Sequence, residues 1–147
     1  MSSPVDLSAD AGSLARRFVQ AATVVWVDVV SPTVTPVQFA ALNAILAHPG
    51  RAQRAVGEAA GLDRSNIADV VSRLVQHGMV RRSRDPDDVR RNLLTLTQAG
   101  RRVHTEVAGC LPYADAALLA PLTPDERAQF LGLLARIVTT PTGESAS

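Results

Sequence analysis

Residues 51–100 read RAQRAVGEAAGLDRSNIADVVSRLVQHGMVRRSRDPDDVRRNLLTLTQAG, and the order of signals inside this stretch decides the fold. A short helix is expected from Gln53 to Ala60, stopped by Gly61. Leu62-Asp63-Arg64-Ser65-Asn66 then supplies capping side chains ahead of Ile67, Val70, Val71, Leu74 and Val75, which recur at helical spacing. An apolar stripe of that kind faces a core, so Ser65, Asn66, Asp69, Ser72, Arg73 and Gln76 project from the other side. Gly78 ends the helix. Two β-prone arms follow, Met79 to Arg84 and Asn92 to Thr97, with Asp85-Pro86-Asp87-Asp88-Val89-Arg90-Arg91 between them, which predicts a hairpin with a charged tip. Short helix, tight turn, polar-faced helix and basic hairpin is the order of a winged helix-turn-helix.

Working outward, Thr35-Pro36-Val37-Gln38 places a hydroxyl, a proline and a glutamine where a helix starting at Pro36 needs them. That helix would bury Phe39, Leu42, Ile45 and Leu46 and stop before Pro49-Gly50. Upstream, Leu14, Phe18, Ala21, Ala22, Val25 and Val29 predict a helix over roughly residues 7–30, although its second half, AATVVWVDVV, is β-branched enough to suit a buried strand. Downstream, Val103, Val107, Leu111 and Leu118 continue a long helical pattern, in which Pro112 predicts a kink or break near Ala108 to Pro112. Thr123-Pro124-Asp125-Glu126 opens a last helix carrying Phe130, Leu133, Leu134, Ile137 and Val138, and the tail PTGESAS, residues 141–147, is expected to be disordered. The chain is therefore mainly α and one domain, with a winged helix over 35–97 flanked by helical regions over 1–34 and 98–140.

At 147 residues, with 46% hydrophobic and 20% charged side chains, the chain is sized and composed for one folded core. Its single cysteine, Cys110, excludes an intrachain disulfide and any multi-cysteine metal site within one chain. The start lacks the basic and apolar regions of a secretory signal, and the longest uncharged stretch, Val29 to Gly50, carries three prolines; a cytoplasmic protein with no membrane partner is expected. The net charge of +1 hides a division. Arg51 to Arg102 holds 11 arginines against six acids, a net +5, while the rest carries −4. A basic middle segment suits a polyanion, the alternative being a solvated surface with a chance imbalance. All 15 basic residues are arginine, which a high-GC genome would equally produce, so no function is drawn from that.

The segment from Thr35 to Gly100 resembles the multiple antibiotic resistance regulator (MarR) family of bacterial transcription factors. The stretches that carry the likeness are TPVQFAALNAILAHPGRAQRAVGEAAGLDRSNIADVVSRLVQHGMV and RRSRDPDDVRRNLLTLTQAG, with the RxxDPxD-x-R tip and LTxxG exit at the family's spacing. The resemblance implies a homodimer with interlocking N- and C-terminal dimerisation helices, each central lobe binding half of a palindromic double-stranded DNA operator. It also implies a small aromatic or phenolic effector that binds between the dimer helices and the lobe and releases a repressor. Asp88 and Arg90 match the family's wing; Val89 replaces a commonly basic residue, and Pro112 departs from the family's usual unbroken helix.

Residues at the first turns of a helix in the major groove read base edges. Arg64 suits guanine, Asn66 adenine, and Ser65 a base or a phosphate, with capping as the competing role for Ser65 or Asp63. Arg73 suits a phosphate. At the wing, Arg90 is the candidate for the minor groove with Asp88 orienting its guanidinium, while Arg84 and Arg91 suit phosphates. Trp26, Phe18 and Phe39 are candidates for an effector pocket, or simply core. Cys110 reads as a buried structural thiol rather than the redox sensor that some relatives carry in the first helix. The three histidines, His48, His77 and His104, fall in no catalytic or metal-binding pattern, so neither an enzyme nor a cofactor or metal site is expected. The competing function is a winged-helix module that contacts proteins and has no specific DNA binding.

Overall fold

The computed structural model describes residues 1–140, so the expected disorder of the tail falls outside the described residues. Helix α1 runs Ala11–Val25 and continues directly into a π-helical turn, Trp26–Val30; α2 spans Pro36–Ala47, the strand β1 Arg51–Ala52, α3 Gln53–Ala60 and α4 Arg64–Gln76. The hairpin strands are β2, Val80–Arg84, and β3, Asn92–Leu96, followed by α5, Gln98–Leu118, and α6, Pro124–Thr139.

The starts obey local chemistry. Thr35 and Gln38 form a reciprocal capping box on α2, and Thr123 and Glu126 repeat it on α6. Asp10 caps α1, so that helix begins at Ala11 and not near Leu7. Gly61 and Gly78 close α3 and α4 with φ of 70° and 72°, a left-handed conformation that L side chains avoid.

The β-branched run after Val25 is neither the buried strand nor ordinary α-helix: it stays helical, with one wider turn closed by the Ser31 amide donating to the Trp26 carbonyl (2.9 Å). Ser31 Oγ then accepts from the amides of Thr33 and Val34 (3.2 and 2.9 Å), turning the chain tightly into α2. Pro112 breaks nothing. It lies inside a continuous α5 on an exposed position, so the turns on either side carry the helix past the missing amide, held by Val107 and the half-buried Leu111 and Leu118.

The core sits in the central lobe. Leu42, Ile45, Val56, Ile67, Val71, Leu74 and Leu94 are the large side chains removed from solvent, drawn from α2, α3, α4 and β3. Truncating any of the leucines to alanine is expected to cost about 2–5 kcal/mol. Three antiparallel strands in the order β1-β3-β2 close this lobe, with Arg51 opposite Leu94 and Val80 opposite Leu96. Neither α1 nor α6 contributes a buried residue: Val19, Val24, Leu131, Leu133, Ile137 and Val138 are all exposed.

Candidate nucleic-acid interface

The first turn of α4 is organised by one carboxylate. Asp63 is the N-cap: Oδ1 accepts from the Asn66 amide (2.8 Å) and the Ser65 hydroxyl (3.1 Å), and Oδ2 accepts from Asn66 Nδ2 (3.0 Å). The Asn66 amide, then the Ser65 hydroxyl, hold the Asp63 carboxyl below the usual carboxylate range. Asp63 is thus the cap, and Ser65 serves it as a donor. Asn66 spends one amide hydrogen on Asp63 and keeps the other together with Oδ1, the donor and acceptor that an adenine edge requires. Arg64, Ser65 and Asn66 are all exposed, while Ile67, Val71 and Leu74 on the opposite stripe are buried. Arg73, further along α4, pairs with Asp69 at 3.3 Å.

At the wing the acids build the tip. Asp85 Oδ1 accepts from the Asp87 amide (2.9 Å), and Asp88 Oδ1 accepts from the Arg90 amide (3.0 Å). The sequence leads one to expect Asp88 to orient the Arg90 guanidinium; in this DNA-free structure its Oδ1 grips backbone, because the turn brings the amide two residues on within its reach. Arg84 Nη1 donates to the Val89 carbonyl (2.6 Å), fastening the tip from the strand below, and Arg91 Nε lies 3.9 Å from Asp85 Oδ2. The guanidinium of Arg90 has no such engagement among the described residues and stays exposed, as does that of Arg64.

A cleft of ≈ 1110 Å³ lies between α3, the start of α4 and the wing, and it brings Arg64, Arg90 and Arg91 onto one concave surface. Arg54 and Glu58 of α3 line it too, residues the sequence reading passed over because a short amphipathic helix shows nothing of what lies across from it. Gln53 Oε1, buried without a hydrogen-bond partner, belongs to the same cleft. Arg82 is a further omission: opposite Leu94 in the sheet, it reaches Ser72 Oγ on α4 (3.4 Å) and ties wing to helix.

The aromatic candidates divide into two groups. Phe39 stacks on His104 of α5 (centroids 5.1 Å apart, planes at 22°) and Trp26 leans on Phe39 at 6.1 Å. His104 Nε2 lies 3.0 Å from Asn43 Oδ1, and Trp26 Nε1 donates to the Val34 carbonyl (2.6 Å). Phe18 is elsewhere, edge-on to Phe130 of α6 at 5.5 Å. Nothing local in the sequence marked His104 as the partner of Phe39. Cys110 is half-buried on α5, more open than a core thiol. Among the described residues no three histidine, cysteine or acidic side chains gather as metal ligands, and no helix is long and apolar enough to cross a membrane.

A polar-faced helix, capped for groove entry and flanked by an arginine-tipped hairpin, defines a winged helix-turn-helix protein of the DNA-binding class. The chain belongs to the MarR family: residues 33–91 match that family's model, and the chain is 32% identical over 110 residues to the transcriptional regulator HosA of Escherichia coli O111:H-, covering 73% of this chain and 79% of that one. The transcriptional regulator PcaV of Streptomyces coelicolor, in complex with its natural ligand, superposes with a TM-score of 0.86 at 47% identity, covering 93% of this chain and 97% of that one. The repressor CouR bound to a 23-mer DNA duplex superposes with a TM-score of 0.81 at 27% identity, covering 92% and 99%. The winged-helix fold and the family expected from residues 35–100 are thereby shown, and these relatives are transcriptional regulators rather than enzymes.

Proposed function

We propose that this chain is a homodimeric repressor that binds a palindromic duplex through its cleft and wing and is released by a small aromatic effector. The observation that carries the reading is the pair of unengaged guanidiniums, Arg64 and Arg90, on the two sides of one cleft beside the exposed face of α4. Arg64 and Asn66 read base edges, and Ser65 meets a base or a phosphate. Arg73 and Arg91 meet phosphates by exchanging Asp69 and Asp85 for the backbone of the duplex. Arg84 and Asp88 shape the tip that carries Arg90 into the minor groove.

The dimer follows from the apolar surface that α1 and α6 leave uncovered, where Ile137 and Val138 are each 71% exposed. A monomer gains nothing by leaving such side chains in water, and a second copy removes them. Phe18 belongs to this seam. Trp26 and Phe39, with His104, form the effector site, where the π-helical turn, α2 and α5 meet. The PcaV structure with its natural ligand and the CouR structure with a duplex support both halves of the reading.

Selection of bound sequences from random duplexes, followed by titration of the winners at several salt concentrations, is the test. Preferred sites with inverted symmetry and a steep salt dependence are expected. A purified dimer that retains no duplex in dilute buffer would instead identify a protein-interaction module.

A further inference from the structure

Three ion pairs occur among the described residues, all in the winged lobe, and each parks an arginine on an acid: Arg54 on Glu58, Arg73 on Asp69 and Arg91 on Asp85. The first pair stands apart. Arg54 Nε lies 3.3 Å from Glu58 Oε1 along one face of α3, and both residues line the cleft that also holds Arg64 and Arg90. Resting on the reading of that cleft as the duplex-binding face, we propose that Glu58 competes with DNA phosphate for the guanidinium of Arg54 and so sets the strength of the lobe's grip on the DNA backbone.

The argument is one of matched chemistry. A carboxylate and a phosphate offer the same acceptor oxygens to the same planar fork of donors, so whichever holds Arg54 excludes or weakens the other. The pair is open to water, with side-chain exposures of 78% and 70%, which makes it weak and ready to exchange. A phosphate carries no sequence information, so the competition scales affinity for every duplex alike and leaves the base readout by Arg64 and Asn66 untouched. A regulator that must let go of its operator gains from such a brake.

The experiment measures affinity for a duplex chosen by selection and for a random-sequence pool of the same length, using Glu58→Gln, Arg54→Ala and the double variant, with Arg64→Ala and Arg90→Ala alongside. Glu58→Gln is expected to tighten binding about 2- to 5-fold on both DNAs, the worth of an exposed ion pair, and Arg54→Ala to weaken it and lower the salt slope by about 1. In the Arg54→Ala background the Glu58→Gln gain should shrink below about twofold, the signature of coupling between the two residues. A gain that persists there shows Glu58 acting only as bulk negative charge and overturns the proposal. Weaker binding by Glu58→Gln shows that it positions Arg54, and overturns it equally. If Arg54→Ala is silent while Arg64→Ala and Arg90→Ala weaken binding, the proposal falls and the duplex-binding face stands. If the wild-type dimer holds neither DNA, the face itself is wrong.

Discussion

Gly100, in the first turn of α5, abuts the carbonyl of Met79, leaving no room for a side chain between that helix and the turn leading into β2. Thr97 completes the joint: its amide donates to the Met79 carbonyl (3.1 Å) and its hydroxyl to the Gly78 carbonyl, while that same hydroxyl oxygen caps α5 through the Gly100 amide. The LTxxG exit is therefore a mechanical connection between the winged lobe and the long helix, made of the Gly78 and Met79 carbonyls on one side and the Thr97 amide, the Thr97 hydroxyl and Gly100 on the other.

Adding one methyl group at Gly100 must displace backbone. Gly100→Ala is expected to destabilise the protein by about 1–3 kcal/mol in chemical denaturation. Gly109, in the same helix with open space where a Cβ would go, serves as the control, and Gly109→Ala should stabilise by about 0.5–1 kcal/mol. Similar effects at the two sites would mean that the Met79 contact is not tight.

The caps give stability an acid limb. Amide hydrogen bonds, each with a hydroxyl bond second, hold the carboxyls of Asp63, Asp10 and Glu126 below their usual range. A carboxyl depressed in the folded state stabilises fully above its unfolded pKa, and that contribution fades as pH falls through the lower folded value. Asp63→Asn keeps a cap without the titration. Its stability deficit against the wild type, measured by thermal melts, should be present at pH 6 and close as the pH drops below about 4. A deficit constant across that range would assign no role to the charge.

Arg90 and Asn66 should fail differently. Arg90→Ala is expected to weaken binding to all duplexes and to lower the salt slope by about 1. Asn66→Ala should lose about 1–3 kcal/mol at a single base position of a selected site and leave random DNA nearly unaffected. Equal losses on both DNAs would remove Asn66 from base readout.

Trp26 is the only tryptophan, so its emission reports on the ring stack directly. Titrating a panel of phenols and benzoates should quench or shift that emission and release bound duplex over the same concentration range. Release without any change at Trp26 would place the effector elsewhere.

Much of this was legible in the sequence because caps, prolines and apolar spacing act locally. Pro36, Gly61, Gly78 and Pro124 fall where their chemistry demands, and the buried stripe of α4 matches its periodicity. What stayed hidden depends on distant partners. The π-helical turn at Trp26 is a shift of hydrogen-bond register that side-chain pattern does not record, and β1 is too short to show alternation. Phe18 and Phe39 look alike in the sequence, yet Phe130 claims one and His104 the other, from 112 and 65 residues away. That Asp88 would hold the Arg90 amide depends on the turn geometry, which the order of residues leaves open.

The pairing of Arg51 and Ala52 with Leu94 and Leu93 stitches the approach to α3 onto the hairpin. Arg82 on β2 meets Ser72 on α4, so hairpin, α3 and α4 are joined like the jaws of a solid wrench rather than of pliers. For the proposed repressor, that joint predicts release by a change in the distance between the twin heads along the double helix, with wing and helix moving as one piece.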